Sequence, residues 1–248
     1  MSDRGVCLIT GGGRGIGAAT ARLAAQRGYA VALTYRENAT EANRVARAVE
    51  AAGCHALAIR ADVGDEEETA RAFAAADALG PLTLLVNNAG IVGPVGRLTD
   101  VTGPMLEQLY RTNVVGAFLA AKEAVKRMST KHGGRGGSIV NVSSGASQLG
   151  SPGVWIHYAS TKGAIDTMTI GLAKEVAAEG IRVNAVRPGI IDTDIHAARP
   201  PGQVEQMRKA IPMGRLGTVD EIAHIILWLA SDEASYVTAA LLDARGGI

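Results

Sequence analysis

The chain has 248 residues, 47% of them hydrophobic, and its 25 basic and 24 acidic residues give a net charge of +1. This composition predicts a folded protein with a sizeable core and excludes a disordered chain. The balanced charge argues against nucleic acid or a membrane surface as a partner, and two cysteines are too few for a disulfide framework.

The N-terminal residues carry no signal-peptide apolar segment, and no uninterrupted apolar run reaches membrane-spanning length. The five histidines are scattered and show no metal-ligand spacing. We therefore expect a cytoplasmic protein without a metal site.

Short β-type runs alternate with longer helical segments along the chain. The predicted strands are Gly5–Thr10, Ala30–Tyr35, His55–Ala61, Leu82–Asn87, Gly137–Ser143, Ile181–Arg187 and Ala239–Asp243. The predicted helices are Gly15–Arg27, Ala39–Ala51, Glu66–Leu79, Gly103–Lys131, Tyr158–Glu179 and Val219–Ala230. Continuously apolar strands alternating with helices predict an α/β fold, a Rossmann-type doubly wound parallel sheet of about seven strands.

The stretch T-G-G-G-R-G-I-G, residues 10–17, joins the first predicted strand to the first predicted helix. In that context a glycine-rich loop favours a phosphate site, because missing Cβ atoms let the backbone approach an anion at a helix N-terminus. The spacing fits both G-x-G-x-x-A and G-x-x-x-G-x-G. The alternative is a glycine-rich turn that binds nothing.

The second predicted strand ends at Tyr35, about twenty residues beyond the loop, and Arg36 and Glu37 follow it. An acid here would accept from the ribose hydroxyls of NAD, whereas an arginine would meet the 2′-phosphate of NADP. Arg36 comes first and Arg14 lies in the loop, which favours NADP and leaves NAD as the alternative.

Tyr158 and Lys162 lie four residues apart in a helical segment and should share one helix face. A cation beside a phenol lowers the pKa of the phenol and fits it for acid–base work near neutral pH. By itself the pair also fits a chance surface pair. Ser143 and Ser144 follow a predicted strand, where a hydroxyl would either hold a substrate oxygen or cap the strand end.

Two further regions are expected to wall the pocket. One is residues 150–157, which contains Trp155; its indole would stack on a ring or sugar or pack at an interface. The other is an unassigned segment of about residues 190–213, which we expect to act as a lid. His196 in this segment has no assigned role, and His157 is expected to point away from the face of Tyr158.

Five motifs in order show that the chain resembles the short-chain dehydrogenase/reductases in their compact single-domain form. The motifs are residues 10–17, Asp62-Val63, Asn87-Asn-Ala-Gly90, Tyr158-x-x-x-Lys162 and Pro188-Gly189. Residues 35–36, 212–215 and 235–238 are similar to the glucose-dehydrogenase-like subgroup. The resemblance implies one domain over residues 1–248, with a cofactor half of about 1–135 and a catalytic half of about 136–248.

The resemblance also implies roles for the matching residues. Tyr158 would be the acid/base, Lys162 would hold the nicotinamide ribose, Ser144 would bind the substrate oxygen, and Asn113 would hold a water of the proton relay. Asp62 and Val63 would contact the adenine, and Ile191 and Thr193 the carboxamide. The full set expected to bind the cofactor is Gly11, Gly13, Arg14, Gly15, Ile16, Gly17, Tyr35, Arg36, Asp62, Val63, Asn88, Ala89, Gly90, Tyr158, Lys162, Pro188, Gly189, Ile191 and Thr193.

These roles describe an NADP-preferring oxidoreductase that interconverts a secondary alcohol with a ketone or aldehyde. The alternative is a non-catalytic nucleotide-binding redox sensor, which would have no use for the Ser–Tyr–Lys–Asn set. A cofactor-independent lyase is disfavoured by the glycine loop. The resemblance further implies a homotetramer, with the helices predicted at Gly103–Lys131 and Tyr158–Glu179 at one interface.

Overall fold

Seven strands form one sheet in the computed structural model, which describes residues 4–193 and 202–248. They are β1 (Val6–Ile9), β2 (Ala30–Tyr35), β3 (Ala56–Arg60), β4 (Leu82–Asn87), β5 (Gly137–Val142), β6 (Ile181–Pro188) and β7 (Leu241–Ala244). Every neighbouring pair is parallel, and the order is β3-β2-β1-β4-β5-β6-β7. The predicted doubly wound parallel sheet is confirmed.

Nine α-helices are found in the described part of the chain. They are α1 (Gly15–Gln26), α2 (Ala39–Ala51), α3 (Glu66–Ala76), α4 (Gly103–Tyr110), α5 (Gly116–Met128), α6 (Ala146–Leu149), α7 (Ile156–Val176), α8 (Gln203–Ala210) and α9 (Val219–Ala230). The sequence did not predict α6 or α8. None of these helices has both the length and the apolar character needed to cross a membrane.

The core lies on both faces of the sheet, because successive residues of a strand point to opposite sides. Cys7 and Ile9 of β1 pack with α1, α2 and α9, whereas Val6 and Leu8 pack on the other face with α3, α5 and α7. All four side chains are fully buried. Burial on both faces explains why the strands read as continuous apolar runs.

The prediction of a single long helix at Gly103–Lys131 is wrong. This segment is interrupted by a π-helical turn at Arg111–Val115, which separates α4 from α5. Asn113 lies in this turn and its side chain is buried. Such turns are single-turn insertions in α-helices that occur frequently at functional sites.

The segment predicted as a lid, about residues 190–213, contains α8, and its Ile191 forms an isolated bridge with Gly217, which lies beyond the segment. Residues 194–201, which include His196, lie outside the described residues. The strand order reverses direction between β1 and β4, which in a doubly wound sheet opens a crevice at the carboxyl ends of the strands.

Candidate active site

A cavity of about 910 Å³ lies at the carboxyl edge of the sheet. Its walls include residues at or just beyond the carboxyl ends of all seven strands, β1 to β7. The predicted site residues that line it are Gly11, Gly13, Arg14, Gly15, Ile16, Tyr35, Arg36, Asp62, Val63, Asn88, Ala89, Gly90, Ser144, Tyr158, Lys162, Pro188, Gly189, Ile191 and Thr193. Gly17 and Asn113 are the two predicted residues outside this lining.

The glycine loop is shaped by three of its glycines. Gly11 and Gly15 have φ angles of +65° and +52°, which L side chains rarely adopt. Gly17 has no room for a side chain, because a Cβ there would lie 2.6 Å from both Asn88 Nδ2 and the Gly11 carbonyl oxygen. The structure therefore favours the Gly11, Gly15, Gly17 spacing, which the sequence could not separate from the alternative.

The loop leads directly into α1, whose N-cap is Arg14. The Arg14 side chain makes no capping hydrogen bond, and Gly15 and Ile16 of the first turn line the cavity. The first N–H groups of a helix have no partner within the helix, and together with the helix dipole they attract an anion. A phosphate group fits this corner of the cavity.

Asn88 braces the loops that follow β1 and β4. Its Nδ2 donates to the carbonyl oxygens of Thr10 and Gly11, both at 3.0 Å. In the same direction, the backbone N–H groups of Asn88 and Ala89 donate to the hydroxyl of Thr10, also at 3.0 Å. These four bonds fix the two loops relative to each other.

The end of β2 supplies the charged corner of the cavity. Arg36 NH2 lies 2.6 Å from Glu37 Oε1, and both side chains are exposed. Arg14 is also exposed and lines the cavity. Both charges that the sequence placed here therefore reach the cavity, and Glu37 competes with any anionic ligand for Arg36.

Tyr158, Lys162 and Ser144 meet where β5 ends. Tyr158 and Lys162 lie one turn apart on α7, and Lys162 Nζ is 5.7 Å from the centroid of the Tyr158 ring. The same Nζ donates to the carbonyl oxygen of Val142, at 2.8 Å. The Ser144 hydroxyl interacts with the Tyr158 phenol and acts to lower its pKa. A hydroxyl, a phenol and an ammonium group thus converge on one wall of the cavity.

The titration of these groups differs from the prediction. We expected Lys162 to lower the pKa of Tyr158, but burial raises the pKa of the phenol, and the interaction with Ser144 only opposes the rise. Lys162 is itself buried, and burial lowers the pKa of its ammonium group to about 8, a shift that the charge of Asp166 opposes. The prediction overlooked desolvation, which depends on the fold and not on the four-residue spacing.

The two serines after β5 are used differently. Ser143 is buried, and its hydroxyl donates to Asp166 Oδ1 at 2.6 Å. Ser144 is less buried, and its Oγ accepts from the backbone N–H of Ala146 at 3.1 Å. Of the two serines, only Ser144 influences the pKa of Tyr158.

Asn113 lies just behind the cavity. A Cβ placed on Gly90 would be 3.4 Å from Asn113 Oδ1 and 3.7 Å from Lys162 Nζ, so Asn113 and Lys162 flank the same glycine. The side-chain amide of Asn113 is bonded to the backbone of Ile91 and to Thr161 Oγ1. Both N–H groups of the amide are engaged, and its Oδ1 already accepts one hydrogen bond. Only the second lone pair of Oδ1 is left for a water.

Several lining residues were missed by the sequence analysis. Arg245, which follows β7, has no nearby motif that marks it, and Val92 and Leu149 are apolar residues of loops and short helices. Trp155 lines the cavity, which is where it must lie if its indole stacks on a ring or sugar. His157 is buried and, unlike its neighbour Tyr158, is not part of the lining.

Comparisons with known proteins agree with this geometry. The family model described as enoyl-(acyl carrier protein) reductase matches residues 11–248. The chain is 50% identical to the uncharacterized oxidoreductase YgfF of Escherichia coli K12, over 98% of this chain and 99% of the relative.

Two solved structures have the same fold. A short-chain dehydrogenase/reductase from Serratia marcescens has a TM-score of 0.90 and 34% identity, covering 98% of this chain and 96% of that one. A blue fluorescent protein from a metagenomic library, solved with NADPH, has a TM-score of 0.90 and 36% identity over the same shares. The chain belongs to the short-chain dehydrogenase/reductase family of NAD(P)-dependent oxidoreductases.

Proposed function

We propose that this protein is an NADP-preferring oxidoreductase that interconverts a secondary alcohol with a ketone or aldehyde. The observation that carries the proposal is the meeting of Ser144, Tyr158 and Lys162 in the same cavity as the glycine loop. The cavity joins an anion-binding corner to a proton-donating corner, as a hydride-transfer enzyme requires.

The cofactor assignment rests on fit and charge. The backbone at Gly11, Gly13 and Gly15 lines the cavity beside the first turn of α1, where a pyrophosphate would lie. Arg14 and Arg36 both line the cavity near the end of β2, where the 2′-phosphate of NADP would lie. The similar metagenomic protein was crystallised with NADPH, which supports the same choice here.

In the reductive direction, Ser144 holds the carbonyl oxygen and Tyr158 donates its proton to that oxygen. The nicotinamide, when bound, supplies the hydride. The raised pKa of Tyr158 keeps the phenol protonated near neutral pH, which suits a general acid. Lys162 holds the nicotinamide ribose and places a positive charge beside the phenol as its proton leaves.

The substitution Tyr158→Phe tests the proposal. With NADPH and a panel of ketones, we expect turnover, followed by loss of NADPH absorbance, to fall at least about 100-fold. NADPH binding, measured by fluorescence titration, should change little, because the ring is kept. Full turnover in Tyr158→Phe would refute the acid/base assignment. Tight NADPH binding by the wild type without oxidation by any carbonyl compound would favour the redox sensor.

We also propose the homotetramer that the family resemblance implies. Large apolar side chains are exposed on the helices that the sequence places at one interface: Leu106, Tyr110, Phe118 and Ile170. A second copy would cover them. Sedimentation should give four times the mass of the chain, and Phe118→Lys should reduce it. A stable wild-type monomer would contradict the assembly.

A further inference from the structure

Asp166 lies on α7 one turn after Lys162, and its side chain is buried. Its Oδ1 accepts from the Ser143 hydroxyl at 2.6 Å, and its Oδ2 lies 3.5 Å from Arg187 NH1. The Ser143 hydroxyl also lies 3.2 Å from the carbonyl oxygen of Lys162. One buried carboxylate therefore connects α7 with the ends of β5 and β6.

The charges continue beyond Arg187. Its Nε lies 2.9 Å from Asp243 Oδ1, and Asp243 Oδ2 lies 2.8 Å from Arg245 NH2. Arg245 NH2 in turn donates to Gln148 Oε1 on α6, at 2.8 Å. The alternating series Asp166, Arg187, Asp243 and Arg245 runs across β6 and β7, and we call it the charge series; Asp166 and Arg187 are buried, whereas Asp243 is exposed.

Both ends of the charge series touch the proposed reaction site. At one end, Asp166 is bonded to Ser143, the residue before Ser144, and is one turn from Lys162. At the other end, Arg245 lines the cavity and packs on the turn after Ser144, since a Cβ on Gly145 would lie 2.5 Å from Arg245 Cδ.

Burying the charges of Asp166 and Arg187 is costly, and such pairs are often no more stable than apolar replacements. A stabilising role alone therefore explains the series poorly. Its placement around the strand end that carries Ser144 suits a role in holding catalytic groups at fixed positions, because a small displacement of a reacting group has a large effect on rate.

We propose that Asp166, held by Arg187, is a positioning residue that keeps the Lys162 ammonium group charged and aligned beneath Tyr158. The inference rests on the proposed function, since it assigns the carboxylate a role in the same Tyr158–Lys162 pair. Asp166 acts through Lys162 and Ser143 and is not expected to touch substrate or cofactor.

The surroundings of Lys162 make the electrostatic part testable. Among the described residues, α7 presents Tyr158 and Asp166 to Lys162. The other elements present neutral groups, which are the Val142 carbonyl, Gly90 and Asn113. Arg187 on β6 adds its charge on the far side of Asp166. Asp166 and Arg187 have opposite charges, so removing each should move the pKa of Lys162 in opposite directions.

The first variant is Asp166→Asn, which keeps the shape and removes the charge. The pKa of Lys162 should fall by about one unit. It can be followed by NMR of lysine labelled at Cε, with the signal assigned by its loss in Lys162→Met. The alkaline midpoint of kcat should move down with it, since turnover requires the charged ammonium.

The second variant is Arg187→Gln, which removes the positive charge that partly neutralises the Asp166 carboxylate. Here the pKa of Lys162 and the alkaline midpoint of kcat should rise. Either variant suffices if the other does not fold. Loss of stability alone would not produce shifts of opposite sign, so a merely structural role predicts lower kcat at every pH with unchanged midpoints, and that result would overturn the proposal.

The matched control is Glu123→Gln. Glu123 is also a buried carboxylate in an ion pair, 2.7 Å from Arg127 NH1, but it does not line the cavity. The Glu123→Gln substitution should leave the Lys162 pKa unchanged. Because the NMR measurement needs no turnover, opposite pKa shifts together with full activity of Tyr158→Phe would refute the proposed function while supporting the electrostatic coupling.

Discussion

Asn113 pairs both ends of its side-chain amide with the backbone of Ile91. Its Nδ2 donates to the Ile91 carbonyl oxygen at 2.8 Å, and the Ile91 N–H donates to Asn113 Oδ1 at 2.8 Å. The pair ties the π-helical turn to the loop after β4. This contact accounts for the turn, since it draws Asn113 toward the loop at the point where α4 would otherwise continue.

We expect Asn113→Leu to lower the free energy of unfolding by about 3 kcal/mol, because the buried N–H and C=O of Ile91 lose their partners. Urea denaturation followed by circular dichroism measures the change. The control is Asn38→Ala, which removes an exposed N-cap on α2 and should cost about 1 kcal/mol. Equal losses of unfolding free energy in the two variants would mean that the Asn113–Ile91 hydrogen bonds contribute no more than a helix cap.

The adjacent serines should separate activity from stability. Ser144→Ala removes the hydroxyl proposed to hold the substrate oxygen, and kcat should fall about 100-fold with little change in unfolding. Ser143→Ala removes a buried bond to a carboxylate and should cost about 2 kcal/mol of stability. Paired kinetics and denaturation on both variants check this. The opposite pattern would assign the substrate oxygen to Ser143.

Lys162→Met should make the protein inactive but more stable at pH 7. Burial lowers the pKa of Lys162 to about 8, so keeping the ammonium charged in the fold costs on the order of 3 kcal/mol below that pH. Loss of the bond to Val142 offsets part of the gain, which leaves about 2 kcal/mol.

The pH dependence has a definite sign. Between pH 8 and the ordinary pKa of lysine, the unfolded chain binds a proton that the folded protein does not, so wild-type stability from this group rises with pH. The advantage of Lys162→Met should therefore shrink as pH rises from 8. Lys209→Met, at an exposed lysine of α8, should show no such trend. If the difference in unfolding free energy between Lys162→Met and the wild type stayed constant across pH, the cost assigned to the buried Lys162 charge would be contradicted.

Arg36 and Glu37 should affect NADPH affinity in opposite directions. Arg36→Ala should weaken NADPH binding roughly 10- to 100-fold and leave NADH unchanged, because one charge-assisted contact to the 2′-phosphate is lost. Glu37→Gln frees Arg36 from its ion pair and should tighten NADPH binding. Fluorescence titration with both cofactors measures this. Arg44→Ala, an exposed arginine of α2 outside the cavity lining, is the control. If Arg36→Ala weakened NADH equally, the phosphate contact would be excluded.

The strands were predictable because their signals are local. Each observed strand agrees with its predicted bounds to within two residues, since a buried apolar run bounded by glycine or polar residues needs no distant information. The motifs are local signals of the same kind, and 19 of the predicted site residues line one cavity.

Long-range contacts account for what the sequence did not predict. The break between α4 and α5 depends on Asn113 and Ile91, which are 22 residues apart. Arg245 reaches the cavity through Asp243 and Gln148, and Gln148 is 97 residues away in the chain. The rise in the Tyr158 pKa depends on the burial of the assembled site. None of these has a signature in the residues next to it.

The four hydrogen bonds around Asn88 have a consequence for how this enzyme could change during evolution. They fix the glycine loop to the loop after β4, whereas Arg36 and Glu37 project from the end of β2 and take no part in them. Substitutions at the charged corner can therefore alter which dinucleotide is preferred while the pyrophosphate position keeps its shape. Cofactor preference can therefore change under selection without further substitutions that restore the stability of the fold.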